Sequence, residues 1–152
     1  MRILFVCMGN ICRSPTVESV ARVEFARAGL DIEVASAGTE NYHVGGSADA
    51  RAIAMAEAHG YPLVAHRARQ LEAADFGRFD HLLAMDRVNL EAMLRRAPAA
   101  GRERAALFLP FVGISDPVEL PDPYYGQTRD FQRALDLARD GIMALTRRLG
   151  RS

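Results

Sequence analysis

Cys7 and Arg13 bracket the segment Cys7-Met8-Gly9-Asn10-Ile11-Cys12-Arg13-Ser14-Pro15. A short loop between a strand and a helix cradles an oxyanion, because successive backbone N–H groups turn inward and the helix adds the positive end of its dipole. In that field the thiolate form of Cys7 is favoured, which makes it a nucleophile at neutral pH. Arg13 offers a planar fork that grips two phosphoryl oxygens at once, a geometry lysine does not reproduce. The Ser14 hydroxyl is positioned by sequence to donate to the sulfur and stabilise it as nucleophile or leaving group. Gly9 and Asn10 permit the unusual backbone angles that so tight a loop needs. Spacing alone is a weak signal, since all 19 basic residues of the chain are arginine. The apolar run before the loop, Gly-Asn within it and Ser-Pro after it carry the specificity. The ordinary alternative for Cys7 is a buried, inert strand residue.

A cysteine that takes a phosphoryl group from an ester needs an acid to protonate the departing oxygen, then a carboxylate to activate water. Asp116 and Asp122 are each followed by proline, and spacing does not choose between them. The plain reading of any Asp-Pro is a turn starter. Asp86 reads as a helix N-cap. For a zinc site, Cys7 and Cys12 fall within finger spacing, but His59 and His66 are too far apart to complete the pattern.

The elements that must position these residues follow from periodicity. Ile3 to Val6 is a continuous apolar run, as in a strand buried on both faces, and it delivers Cys7 at its carboxyl end. Ser14-Pro15 opens a helix, with a capping hydroxyl and an early proline, that carries Val17, Val20, Ala21 and Phe25 at helical spacing and stops at Gly29. Glu33 to Ala37 reads as a second strand, Gly38 to Ala48 as a loop, and Asp49 to His59 as a helix closed by Gly60. A third strand is expected from Phe79 to Met85, a helix from Asp86 to about Arg96, and a fourth strand from Ala105 to Leu109. Pro110 to Pro123 reads as a loop and Asp130 to Leu149 as an amphipathic helix. Strands alternating with helices predict an α/β fold, a three-layer arrangement in which a four-stranded parallel sheet has helices on both faces. With no repeat, linker or low-complexity tract, residues 1–152 read as a single domain.

Composition narrows the function classes. The 19 acidic and 19 basic residues balance, and no segment collects enough positive charge to track a nucleic-acid backbone. No run approaches the roughly 20 apolar residues that cross a bilayer, and the amino terminus lacks a signal-peptide pattern. Two cysteines make no disulfide framework, so a reducing cytoplasm is the expected location.

The segment from Cys7 to Pro15 resembles the phosphate-binding loop of the low-molecular-weight protein tyrosine phosphatases. The resemblance extends through Ser36-Ala37-Gly38-Thr39, His66-Arg67-Ala68-Arg69, Met85-Asp86 and Asp122-Pro123-Tyr124-Tyr125-Gly126. It implies the phosphotyrosine protein phosphatase I-like fold and hydrolysis of phosphotyrosine through a cysteinyl phosphate on Cys7, without metal or cofactor. It makes Arg13 the phosphate clamp and, through the Tyr-Tyr-Gly that follows only Asp122, makes Asp122 the general acid and base. Met8, Gly9, Asn10, Ile11, Cys12 and Ser14 would then bind the phosphate, with Tyr42, Tyr124, Met8 and Ile11 as the apolar walls. Asn10, Ser36 and His66 would form a network holding the loop in shape. The implied partner is a phosphotyrosine-containing protein, an autophosphorylated tyrosine kinase being one candidate. Three rivals are weaker. Thioredoxin-linked arsenate reductases need cysteines downstream, and none follows Cys12. An arginine phosphatase branch carries threonine where this chain has Ile11. An idle phosphoprotein-binding module would be expected to lack nucleophile, arginine or acid.

Overall fold

The computed structural model describes residues 1–150. Its strands are β1 (Arg2–Cys7), β2 (Glu33–Gly38), β3 (His81–Ala84) and β4 (Ala105–Leu107), and its helices are α1 (Arg13–Arg27), α2 (Ala50–Ala58), α3 (Asp75–Arg78), α4 (Arg87–Arg96), α5 (Phe108–Phe111) and α6 (Thr128–Leu149). The strands form one parallel sheet in the order β2-β1-β3-β4.

After the exposed Arg2, strand β1 is apolar because both its faces are covered. Ile3 and Phe5 point into a core shared with Val17, Val20 and Phe25 of α1 and Leu135 and Ile142 of α6. Leu4 and Val6 point the other way, into a smaller core with Phe76, Phe79 and Met93 around α3 and α4. The expected three layers are therefore present. The chain leaves β1 for β2 on one side, then crosses back to β3 on the other. That reversal opens a crevice at the carboxyl ends of β1 and β3, where such sheets bind ligands. Cys7 is the last residue of β1, paired in register with Gly38, the last of β2. A Cβ at Gly38 would stand 2.7 Å from the Met8 carbonyl oxygen, so only glycine lets the end of β2 lie this close to the loop after β1.

Several boundaries differ from the expectations. The fourth strand stops at Leu107, and Phe108–Phe111 turns into α5. Pro110 has no N–H for a ladder, and the turn swings the Phe108 ring edge-on against Phe5, with centroids 5.7 Å apart. The third strand is shorter at both ends, since Phe79 closes the short helix α3. The last helix begins before Asp130, because Gln127 and Asp130 form a reciprocal capping box. Ser14 is not the cap of α1: the helix starts at Arg13, and Cys12 at the N-cap makes no side-chain capping bond. No helix among the described residues is long and apolar enough to cross a membrane.

Candidate active site

The loop from Cys7 to Arg13 hangs on Asn10, the one non-glycine residue with positive φ (59°) among the described residues. Every polar group of this wholly buried side chain is matched. Its amide nitrogen donates to Ser14 Oγ and to Ser36 Oγ, both at 2.9 Å, and its Oδ1 accepts the Arg69 N–H at 3.0 Å. Its backbone is held too: the N–H donates to Cys7 Sγ at 3.3 Å, and the carbonyl accepts from His66 Nε2 at 2.7 Å. Ser36 passes its own hydrogen to Glu18 Oε1 at 2.5 Å. A left-handed asparagine costs about 1 kcal/mol or more, and this set of bonds offsets it.

The same bonds direct Ser14. Its oxygen accepts from Asn10, which leaves its hydrogen to point at Cys7 Sγ, 2.9 Å away. The hydroxyl expected to cap a helix instead holds the sulfur. Gly9 also has a different reason from the one expected. It does not adopt positive φ. A Cβ there would lie 3.1 Å from the His43 ring, so the glycine makes room for the neighbouring loop.

Arg13 is nearly buried. Its Nη1 donates to Asp86 Oδ2 at 2.7 Å and to the Leu120 carbonyl at 3.0 Å. Burial opposes the charge of Arg13, but Cys7, Asp86 and Asp122 outweigh it and raise its pKa, so the guanidinium stays charged. With Nη1 engaged on the far side, the Nε–Nη2 edge is left for a bound oxyanion. Asp86 does keep its plain role, since its other oxygen accepts the Asn89 N–H of α4 at 2.7 Å. The two roles are compatible because a carboxylate has two oxygens.

Cys7, Met8, Gly9, Ile11, Cys12 and Arg13 line a cleft of about 200 Å³. Tyr42, Asp122 and Tyr124 complete it from two other loops, together with His43 and Tyr125, which sequence reading missed. Asn10 and Ser14 lie beneath it, fully buried, and so support the loop from below without lining the cleft. Asp122 Oδ2 stands 3.7 Å from Arg13 Nη2, within ion-pair range, and its Oδ1 accepts the Tyr124 N–H at 3.1 Å. Asp116 is exposed and lies outside the lining. Burial, then the charge of Asp49, pushes the Cys12 thiol far above its ordinary pKa, leaving it neutral. Among the described residues no three His, Cys, Asp or Glu side chains gather as metal ligands.

The family model described as low molecular weight phosphotyrosine protein phosphatase matches residues 2–152. The chain belongs to this family. A low-molecular-weight protein-tyrosine-phosphatase of Streptomyces coelicolor is 41% identical, over 96% of this chain and 93% of its own. The low molecular weight phosphotyrosine protein phosphatase of Homo sapiens is 38% identical, over 86% and 84%. Among solved structures, a protein tyrosine phosphatase of Entamoeba histolytica with Hepes in the active site superposes with a TM-score of 0.92 at 36% identity, covering 98% of this chain and 96% of that one. Vibrio vulnificus Wzb in complex with benzylphosphonate gives 0.85 at 33% identity, covering 97% of each chain. For a low-molecular-weight phosphatase, His43 is an informative addition. It approaches the loop through a glycine, a contact between distant segments that no local pattern announces.

Proposed function

We propose that this chain hydrolyses phosphotyrosine in proteins through a phosphocysteine on Cys7. The observation that carries the reading is the convergence of a thiol, a buried charged guanidinium and a carboxyl group on one small cleft. Cys7 Sγ attacks phosphorus and the bond to the tyrosine oxygen breaks. Asp122, protonated for this step, passes its proton to that oxygen. Water then attacks the phosphocysteine and gives a proton to Asp122, and the sulfur leaves as thiolate, with the Ser14 hydroxyl 2.9 Å away to stabilise it. Arg13 matches the equatorial oxygens in both steps. The oxyanion-binding loop residues Met8, Gly9, Ile11 and Cys12 supply the rim around the phosphate, and Asn10 and Ser14 hold it from below.

Tyr42 and Tyr124 at the walls favour a planar aryl ester, since aromatic pairs add about 0.5–1.5 kcal/mol beyond burial. A short serine ester does not reach past them. Phosphoarginine reaches, but Ile11 offers its guanidinium no acceptor, and unpaired buried donors cost about 1–3 kcal/mol. The Vibrio relative, which binds benzylphosphonate, supports an aryl ligand. A free nucleophilic thiol suits a reducing compartment, so the chain works as a single catalytic domain in the cytoplasm on a phosphotyrosine protein, such as an autophosphorylated kinase. Matched peptides bearing phosphotyrosine, phosphoserine or phosphoarginine test the reading. Phosphotyrosine turns over fastest, and Ile11→Thr raises phosphoarginine turnover relative to it. A wild-type preference for phosphoarginine would overturn the assignment.

A further inference from the structure

Arg51 lies at the start of α2, outside every motif that identified the site, yet it joins the two loops on which the reaction depends. Its guanidinium chelates Asp49, with Nε 3.1 Å from Oδ1 and Nη2 2.9 Å from Oδ2. Asp49 is itself tied to the phosphate loop, because its backbone N–H donates to the Ile11 carbonyl at 2.9 Å. From this anchor, Arg51 Nη2 donates to the Tyr124 carbonyl at 3.0 Å. Tyr124 is the residue whose N–H holds Asp122 Oδ1. The guanidinium carbon also sits 5.5 Å from the Tyr124 ring and 4.7 Å from that of Phe131, so the fork is held between two aromatic faces.

The path therefore runs without a gap from the Ile11 carbonyl through Asp49 and Arg51 to the peptide units around Tyr124, and ends on the carboxylate of Asp122. We propose that Arg51 is a positioning residue that fixes the loop of the general acid relative to the loop of the nucleophile. The inference rests on Asp122 being that acid. The stretch it holds, 112–127, contains no helix or strand. Leu120 is tied to the Met85 carbonyl and to Arg13, and beyond it the backbone around the acid is held locally by the turn bond from the Gly126 N–H to the Pro123 carbonyl, 2.8 Å. Arg51 adds a link from this part of the loop to the phosphate loop. Arg51 suits the task because its fork serves an anchor and a carbonyl at once. Lysine, with one ammonium, cannot hold the same two partners in one plane. The Asp49 pKa is lowered, chiefly by its hydrogen bond to Arg51, so the anchor is ionised at neutral pH.

The test is kcat/KM on aryl phosphates of graded leaving-group acidity, a quantity that reports only the first phosphoryl transfer. Arg51→Gln removes the charged fork and its contact with the two rings while keeping a polar side chain at the start of α2. It should lower kcat/KM about 10-fold on phenyl phosphate, a partial form of the roughly 10²- to 10⁴-fold loss from removing an acid. On 2,4-dinitrophenyl phosphate, whose leaving group needs no proton, the loss should be under about 2-fold. Vanadate affinity should stay within about 2-fold, since the phosphate loop is untouched. Arg51→Lys should resemble Arg51→Gln, and adding Arg51→Gln to Asp122→Asn should cost nothing further on phenyl phosphate. Equal losses on both substrates, or a full additional loss in the double variant, would overturn the positioning role. A flat leaving-group response in Asp122→Asn itself would instead remove the acid assignment, and this proposal with it.

Discussion

Arg13 and Asp86 are joined by a 2.7 Å hydrogen bond between Nη1 and Oδ2, across two elements far apart in the chain. The bond fixes which edge of the guanidinium faces the cleft. Asp86 also caps α4, so two substitutions separate its roles. Asparagine is as good a cap as aspartate, so Asp86→Asn keeps α4 and removes the charged anchor of Arg13. Hydrogen bonds to charged groups contribute about 1.5–3 kcal/mol, which predicts a loss of about 10- to 10²-fold in kcat/KM and a weaker hold on vanadate, with a lowered melting temperature because the nearly buried guanidinium loses its charged partner. Asp86→Ala adds a loss of about 1 kcal/mol of stability. Wild-type vanadate affinity in Asp86→Asn would show that Arg13 needs no such anchor.

Cys7→Ser removes the nucleophile and leaves the cradle. A neutral hydroxyl is a poor substitute for a thiolate, so turnover falls below about 1% of wild type, while phosphate still binds through Arg13 and the loop amides. Equilibrium binding of inorganic phosphate beside steady-state rates checks this. Residual turnover of several per cent would mean that the phosphoryl group does not pass through Cys7.

Asp122→Asn lowers kcat/KM on phenyl phosphate by roughly 10²- to 10⁴-fold, with partial recovery on esters whose leaving group needs no proton. Asp116→Asn leaves the rate unchanged, because its carboxylate is exposed and outside the cleft. The reverse pattern would transfer the acid role to Asp116.

Cys12 is the thiol within the same loop that could condense with an oxidised Cys7, expelling water from the sulfenic acid to form a disulfide. Burial and Asp49 raise its pKa, so the reacting thiolate is scarce at neutral pH and grows about tenfold for each unit of rising pH. Disulfide formation after one equivalent of peroxide should therefore accelerate from pH 6.5 to 8.5, followed by mass. Cys12→Ser should lose the activity that thiols restore to the wild type. A flat pH profile would show that deprotonation of Cys12 does not limit the step, and full recovery of Cys12→Ser would show that Cys12 gives no protection.

Much of the fold was legible because its signals are local. Four consecutive apolar residues before Cys7, helical spacing after Ser14, and the glycines at positions 29 and 60 each report a backbone preference that acts within one turn or strand. The chemistry of Cys7 and Arg13 was legible for the same reason, since a loop between strand and helix presents its N–H groups wherever it occurs. The boundaries that moved were decided at a distance. Leu107 ends β4 because the Phe108 ring finds Phe5 and a space kept open by Gly141 on α6, and nothing within 105–111 encodes that space.

The site divides in the same way. Residue types at Cys7, Arg13 and Asp122, with their motifs, were determined by the sequence alone. The tertiary structure decided which groups those residues meet. Ser14 turns from cap to sulfur partner because Asn10 donates to its oxygen. Asp86 reaches Arg13 while still capping α4, and Arg51 grips the peptide of Tyr124. Each is a directional contact between segments brought together only when the crevice beside β1 forms. Hydrogen bonds lose their strength within a few tenths of an ångström and a few tens of degrees. Periodicity, which reports only the face on which a residue lies, carries no information at that scale.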